Sequence, residues 1–200
     1  MRTGLVTIGG SKYYFDKTTG VMRTGMVTAD KKTYFFETKT GAAKTGKVEI
    51  NKKTYFFDTT TAAMKTGKIL IGKYYYYFST KANNLGQMQT GKIQIGKYYY
   101  YFSTKANSIG QMQTGKVKIG KKYYYFSSNS KSFGQMQTGW MKIGKKTYYY
   151  TPKTGVMKTG WLKLKGKSYY FDKKGVMVTG AKKIGKTSYK FDNNGVCLNP

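Results

Sequence analysis

The 200-residue sequence has no histidine, one cysteine and two prolines, and only seven of its residues are acidic. Without histidine, neither a Ser-His-Asp triad nor a Cys-His pair can form. The single cysteine, Cys197, excludes an internal disulfide framework, and no His/Cys cluster or aspartate-rich loop suits zinc or calcium. We therefore expect a chain that is not an enzyme, with no catalytic residue, no metal ligand and no cofactor.

Long apolar stretches are also missing. No run approaches the ~18 residues that a transmembrane helix needs, so we expect no membrane insertion. No signal-peptide pattern precedes the repeated part of the sequence, and we expect the chain to be a segment of a longer protein.

Negative charge is scarce, since 37 Lys and Arg residues face seven acids and give a formal net charge of +30. The acids are Asp16, Asp30, Glu37, Glu49, Asp58, Asp172 and Asp192. None lies between Thr59 and Phe171, a stretch that holds 20 lysines. High charge with few aliphatic residues is typical of disorder. The 21 tyrosines indicate order instead, because a ring buries a large area while its hydroxyl stays in water.

A repeat accounts for the order. The dipeptide Thr-Gly recurs along the whole chain, with glycines at 4, 25, 46, 67, 91, 115, 139, 160 and 180. The units begin near residues 3, 24, 45, 66, 90, 114, 138, 159 and 179. No linker or change of composition separates them, so we predict a single repeat domain over residues 1–200.

Each unit has the same internal order. Thr-Gly precedes a short alternating apolar segment such as Lys116-Val117-Lys118-Ile119. A turn residue follows, usually Gly, Asn or Asp, which tolerate the positive φ of tight hairpins. An aromatic run and a polar loop, often closing on Gly-x-Met, complete the unit. The pattern predicts strand, turn, strand and loop, and the 24-residue units place their extra residues in the loop.

The aromatic strand requires cover on both faces, because Tyr99 and Tyr101 lie on one face and Tyr98, Tyr100 and Phe102 on the other. An isolated hairpin is marginal in water. We therefore predict an all-β fold, a repeat solenoid of about nine stacked β-hairpins. Most tyrosines would form its core, with the Gly-x-Met methionines filling the gaps between units.

The motifs Thr-Gly-Trp, Lys-Ile-Gly-Lys, Tyr-Tyr-Phe-Asp and Gly-Val-Met resemble the cell-wall-binding repeat superfamily of Gram-positive bacteria. This superfamily includes choline-binding modules, glucan-binding repeats and the C-terminal repetitive domains of clostridial toxins. Residues 159–180, TGWLKLKGKSYYFDKKGVMVTG, match best. The resemblance implies a choline-binding-module-like superhelix of hairpins, ligands bound between neighbouring hairpins, and a secreted protein located at the cell wall.

In choline-binding members, the tryptophan after the glycine and aromatics of the second strand form a cage. We term the position after Thr-Gly the lead position. It is Trp140 or Trp161 in two units and lysine in four others, which would repel a choline cation. Thr147 also stands where a cage aromatic would be wanted. The resemblance implies that the ligand-binding aromatics are Tyr123, Tyr125, Trp140, Tyr149, Trp161 and Tyr170. Packing between hairpins, stacking on a sugar ring and choline binding at a few sites remain alternatives.

The uninterrupted lysine content predicts an anionic partner. The candidate anion-binding residues are Lys68, Lys92, Lys116, Lys118 and Lys142. With 35 lysines and two arginines, the chain favours diffuse attraction to a polymer such as teichoic acid over bidentate docking. Because no nucleic-acid-binding motif is present, we expect nucleic acid to bind only non-specifically at low salt.

These observations predict a non-catalytic module that tethers a secreted Gram-positive protein to an anionic, teichoic-acid-like wall polymer or to a cell-wall polysaccharide or other glycan. Two alternatives remain open. One is a structural or self-assembling solenoid spacer. The other is a host-glycan receptor-binding repeat domain of a toxin or adhesin, in which the longer loops would matter most. The sequence does not indicate an oligomeric state.

Overall fold

The computed structural model describes residues 2–199, in which the chain forms 19 β-strands, three short 3-10 helices and no α-helix. The strands are β1 Gly4–Ile8, β2 Ser11–Phe15, β3 Met22–Arg23, β4 Gly25–Ala29, β5 Lys32–Phe36, β6 Gly46–Ile50, β7 Lys53–Phe57, β8 Gly67–Ile71, β9 Tyr74–Phe78, β10 Gly91–Ile95, β11 Tyr98–Phe102, β12 Gly115–Ile119, β13 Lys122–Phe126, β14 Gly139–Ile143, β15 Lys146–Tyr150, β16 Gly160–Leu164, β17 Lys167–Phe171, β18 Gly180–Ile184 and β19 Thr187–Phe191. Among these residues, no helix has the length and apolar character to cross a membrane.

Two neighbouring strands form a hairpin in each of the nine repeats of residues 2–199, which confirms the predicted all-β fold of repeated hairpins. In the hairpin of β14 and β15, Gly139 lies opposite Tyr150 and Ile143 lies opposite Lys146. The turns contain two residues. Asp30 and Lys31 both have positive φ, 48° and 61°, as a type I′ turn requires. The predicted hairpin turns are therefore confirmed.

Backbone hydrogen bonds connect each hairpin to the one before it. The closing aromatic of a hairpin, such as Tyr150, pairs with the methionine of its own Gly-x-Met segment, Met157. The amide of Met157 also donates to the carbonyl of Tyr123 in the preceding hairpin, at 2.8 Å. Met177 bonds to Thr147 in the same way, also at 2.8 Å. Successive hairpins are thus joined by main-chain bonds as well as by side chains.

The same methionines fill the gap between units, as predicted. A Cβ placed on Gly86, Gly155 or Gly175 would lie less than 3 Å from the sulfur of the preceding unit's methionine. Each of these glycines also has φ near +70° to +81°. Only glycine fulfils both conditions, because other residues disfavour positive φ and would add the clashing carbon.

The most deeply buried residues are closing aromatics with exposures below 2%. They are Phe36, Phe57, Phe78, Phe102, Phe126, Tyr150 and Phe171. Each packs against the penultimate ring of an earlier strand, as Tyr150 does against Tyr125 with centroids 6.0 Å apart.

Tyrosines next to the turns lie outside this core, although the sequence predicts a core role for most tyrosines. Tyr74, Tyr98, Tyr99 and Tyr123 are 36–40% exposed, because they lie at the end of the hairpin away from the closing aromatic.

The extra residues of the 24-residue units lie in the loops, as predicted, and form short 3-10 helices there. These helices span Ala82–Asn84, Ala106–Ser108 and Ser130–Ser132. A buried serine follows the closing aromatic in each of these loops. In one of them the hydroxyls of Ser103 and Ser108 are 2.8 Å apart, and the amide of Lys105 donates to the hydroxyl of Ser103.

By their contacts, the described residues divide into two compact units, each of which contains several repeats. The first comprises residues 2–93 and 102–112, and the second comprises residues 94–101 and 113–199. The boundary passes through β10 and β11. The first unit carries most of the acids, and the second contains both tryptophans. That the chain is one repeat domain stays a prediction.

Candidate aromatic ligand sites

Trp140, at the lead position of β14, forms a corner with two tyrosines. Its indole lies 5.1 Å from the ring of Tyr149, with an interplanar angle of 68°. The same indole lies 4.9 Å from the ring of Tyr169 in the next hairpin, at 65°. Tyr149 is directly opposite Trp140 in the β14–β15 register. Tyr169 lies on β17 of the next hairpin and contacts Trp140 because the two hairpins pack together. Trp140 remains 42% exposed, so the corner is open to a ligand.

A groove of about 400 Å3 adjoins this corner. Besides Trp140 and Tyr169, its lining residues are Lys142, Thr147, Met177, Asn193 and Asn194. The groove thus takes residues from two hairpins and from the loop after β19. Aromatic, cationic and amide groups all face one space, which suits a ligand with both a ring or cation and polar substituents.

Trp161 repeats this arrangement one unit later. Its indole lies 5.2 Å from Tyr170 at 70° and 4.9 Å from Tyr189 at 72°. Trp161 is 38% exposed, and a groove of about 260 Å3 beside it is lined also by Lys163 and Ser168. The two tryptophan sites are therefore equivalent in the geometry of their rings.

Lys116 occupies the lead position of β12. Its ammonium nitrogen lies 4.7 Å from the ring centre of Tyr123 and 5.5 Å from that of Tyr148 in the next hairpin. It also donates a hydrogen bond of 3.1 Å to the carbonyl oxygen of Lys174. Burial lowers the pKa of Lys116, and the charge of Asp172 partly opposes this shift. The ammonium of Lys116 is thus held by protein groups.

Two lysines of the first compact unit also have their ammonium groups over tyrosine rings. The ammonium of Lys47 lies 4.8 Å from the ring centre of Tyr76, in the next hairpin. That of Lys68 lies 5.1 Å from the ring centre of Tyr75, in the second strand of its own hairpin. Lead-position lysines therefore contact tyrosine faces in both units.

The structure separates the predicted aromatic residues into several places. It brings Trp140 to Tyr149 and Trp161 to Tyr170, each pair across one hairpin. Tyr123 instead lies beside lysine ammonium groups, including that of Lys118 at 5.9 Å. Tyr125 packs on a closing aromatic of the core. A ligand role for these residues remains a prediction.

The predicted anion-binding lysines are all exposed residues of first strands. They are Lys68, Lys92, Lys116, Lys118 and Lys142. Lys142 lines the Trp140 groove, whereas Lys68, Lys116 and Lys118 lie over tyrosine rings. The structure therefore distinguishes lysines that the sequence placed in one class.

Sequence reasoning missed Tyr148, Tyr169 and Tyr189. Each is the third residue of the second strand in the hairpin that follows a lead position. We term this residue the middle tyrosine. The signal was present in the sequence, since all nine units have tyrosine there. The predicted aromatics, however, belong only to the lead residue's own and preceding hairpins.

Comparison with known proteins gives the family of this repeat. The model of the choline-binding repeat matches residues 2–47, 114–159 and 158–197. The structure of CbpJ from Streptococcus pneumoniae TIGR4 is similar, with a TM-score of 0.75 and 27% identity over 98% of this chain and 80% of that chain. Choline binding protein F from Streptococcus pneumoniae, solved in the presence of a peptidoglycan analogue, has a TM-score of 0.69 and 28% identity over 98% of this chain and 79% of its own. No curated protein matches the sequence.

Proposed function

Because this chain belongs to the choline-binding repeat family, we propose that it is a non-catalytic module that attaches a secreted Gram-positive protein to the cell wall. Its partner would be an anionic, teichoic-acid-like polymer that carries quaternary ammonium groups. The observation that carries the proposal is the Trp140 groove, where an exposed aromatic corner and Lys142 face one space. An aromatic corner suits the cation, and lysine suits the neighbouring phosphate.

Aromatic rings are well suited to a quaternary ammonium. Such a cation has no N–H to donate, so it gains most from the negative faces of rings. At Trp140 and Trp161, two tyrosines stand at 65–72° to the indole, so rings of different orientation border each site. The matched family and the peptidoglycan analogue used with choline binding protein F support a wall ligand.

The lysine content supports the anionic part of the proposal. Between Thr59 and Phe171 the chain has 20 lysines and no carboxylate, so nothing in that stretch neutralises them. A polymer with one phosphate per repeat would meet a cation at many points along such a surface. Binding of this kind weakens steeply as salt rises, because condensed counterions are released on binding.

A sugar ring is the second candidate ligand for the Trp140 groove. Thr147, Asn193 and Asn194 place hydroxyl and amide groups beside the indole. Stacking on an aromatic face combined with such polar groups also suits a carbohydrate. A glycan would bind with little dependence on salt and without competition from choline.

The deciding experiment is binding of the purified chain to isolated Gram-positive cell walls over a salt series. Intact walls are compared with walls stripped of teichoic acid, and choline is added as competitor. Ethanolamine at equal concentration is the matched control, because it has the same charge but a primary ammonium. Trp140→Ala, Trp161→Ala and the double variant are tested alongside the parent chain.

We expect binding to be lost on stripping, to fall steeply with salt, and to be released by choline more readily than by ethanolamine. Binding that is unaffected by salt, by stripping and by choline would favour the glycan. If no wall preparation binds the folded chain, the wall-attachment proposal is wrong. The alternatives would then be recognition of host glycans, tested by glycan binding, and self-association, tested by light scattering.

A further inference from the structure

In both compact units, a side chain at the lead position contacts the middle tyrosine of the following hairpin. This holds for lead tryptophans and for lead lysines. The ring or ammonium distances are 4.9 Å for Trp140 and Tyr169, 4.9 Å for Trp161 and Tyr189, 5.5 Å for Lys116 and Tyr148, and 4.8 Å for Lys47 and Tyr76. Lys116 and Lys47 therefore enter the same space between hairpins that the tryptophans border.

The surroundings of Lys116 and Trp140 share two groups that come from the following hairpins. Each site has a middle tyrosine from the next hairpin and a loop from the hairpin after that. At Lys116 the loop group is the carbonyl of Lys174, and at Trp140 it is Asn194. Lys174 and Asn194 hold the same loop position, two residues after Asp172 and Asp192.

The two sites differ in the aromatic residues of their own hairpins. Lys116 has Tyr123 on its own hairpin at the position that Thr147 holds beside Trp140. The site of Lys116 is thus richer in tyrosine on its own second strand, and the space between Tyr123 and Tyr148 contains the lysine's ammonium.

We propose that Lys116 determines specificity by filling its aromatic site with its own ammonium, which closes that site to quaternary ammonium groups from outside. The inference rests on the proposed function for the class of ligand. Lys47 does the same at the face of Tyr76 in the first unit. Open cation sites in the second unit are then those at Trp140 and Trp161.

Tethering makes the closure effective. A group attached by a short flexible chain acts at a local concentration of about millimolar or above. The ammonium of Lys116 also donates to the carbonyl of Lys174, a bond that a quaternary ammonium cannot make. An external ligand must therefore displace both ring contacts and a hydrogen bond.

Closure also changes which lysines attract a polyanion. An ammonium held between two rings is less accessible to phosphate than one at the edge of a groove. Lys142 therefore contributes more to polymer binding than Lys116, although the sequence assigned both to one class.

The test replaces Lys116 and counts choline sites by isothermal titration calorimetry. Ring-proton NMR shifts of Tyr148 report whether choline enters the altered site. Lys116→Trp introduces the side chain found at Trp140, and Lys116→Leu removes the ammonium while keeping an apolar stem. Lys122→Leu is the matched control, because Lys122 is an exposed lysine of the same hairpin and lies opposite Ile119 at the turn. Circular dichroism and urea unfolding confirm that each variant is folded.

We expect Lys116→Trp to bind one more choline than the parent chain, with shifts at Tyr148, and Lys122→Leu to bind the same number as the parent. Lys116→Leu should show shifts at Tyr148 even if its affinity is low. If both Lys116 variants are folded and neither the number of sites nor the Tyr148 signals change, the inference is wrong. A third outcome is that the parent chain binds no choline and Lys116→Trp binds one. That result would refute the proposed function of the tryptophan sites and would leave this inference standing.

Discussion

The sulfur of Met157 lies 2.5 Å from the point that a Cβ on Gly175 would occupy. The two residues belong to successive repeats, so the contact joins one unit to the next. Gly175 also has φ of +81°, a conformation that residues with a Cβ rarely adopt. The repeat-to-repeat junction therefore depends on a glycine for two separate reasons.

Gly175→Ala should lower the free energy of unfolding. The positive φ costs an alanine about 1–2 kcal/mol, and forcing a methyl against Met157 adds about 1–3 kcal/mol. Gly180→Ala is the matched control, since φ there is +72° but no atom lies within 4 Å of the added carbon. Urea unfolding should show a clearly larger loss for Gly175→Ala, and equal losses would mean that Met157 moves aside at no cost.

Tyr150→Phe should stabilise the protein by about 1–3 kcal/mol, the usual cost of a buried polar group without a partner. The ring of Tyr150 is fully buried, and its hydroxyl has no hydrogen-bond partner among the described residues. Burial also raises the pKa of Tyr150 to about 12. The other eight units have phenylalanine at this position. Thermal or urea unfolding measures the change. The reverse substitution in another unit, Phe171→Tyr, should destabilise the protein. A loss of stability in Tyr150→Phe would show that the hydroxyl of Tyr150 is solvated.

Stability should fall as the pH is lowered from about 4 towards 2. Hydrogen bonds from the amide and hydroxyl of Thr61 lower the pKa of Asp58 from 3.8 to about 2, with further bonds from Thr60 and Lys65. Because the folded-state pKa lies below the ordinary value, this contribution is present above pH 4 and is lost as Asp58 protonates. Asp58→Asn should flatten the curve in this range, measured by urea unfolding at each pH. An unchanged slope would show that Asp58 has the same pKa in the unfolded chain.

Trp140→Ala should weaken choline binding at its site by between about twofold and thirtyfold, the range that cation–π energies of about 0.5–2 kcal/mol imply. Trp161→Ala should have an equal effect at the second site, because the ring geometry is the same. Titration calorimetry measures both, and Tyr74→Ala serves as control because Tyr74 is an exposed ring outside both tryptophan sites. A full-affinity double tryptophan variant would place choline binding elsewhere.

Lys142→Gln should reduce the salt dependence of wall binding more than Lys116→Gln does. Removing one phosphate contact lowers the slope of log affinity against log salt by roughly one. Lys142 lines an open groove, whereas the ammonium of Lys116 is held by two rings and a carbonyl. Equal slopes for the two variants would mean that ring contact leaves Lys116 available to phosphate.

Much of the hairpin architecture could be predicted from the sequence, because it depends on local patterns. The alternation of Lys116-Val117-Lys118-Ile119 and the turn residues fix strand faces within one hairpin. The contacts of Lys116 with Tyr148 and Lys174 could not be predicted in this way. They depend on how one hairpin is placed on the next, which no short-range period specifies.

The buried serines of the long loops connect chain geometry to charge. Ser79, Ser103 and Ser127 are 2–6% exposed, whereas the side chains of Asp16 and Asp58, at the same position in shorter units, are 20% and 26% exposed. A carboxylate that can still reach water is tolerated there, but one covered by a longer loop would be too costly to desolvate. A lengthened loop thus disfavours an acid at the position after the closing aromatic. Variation in loop length alone would make such repeats more basic, without any selection for lysine.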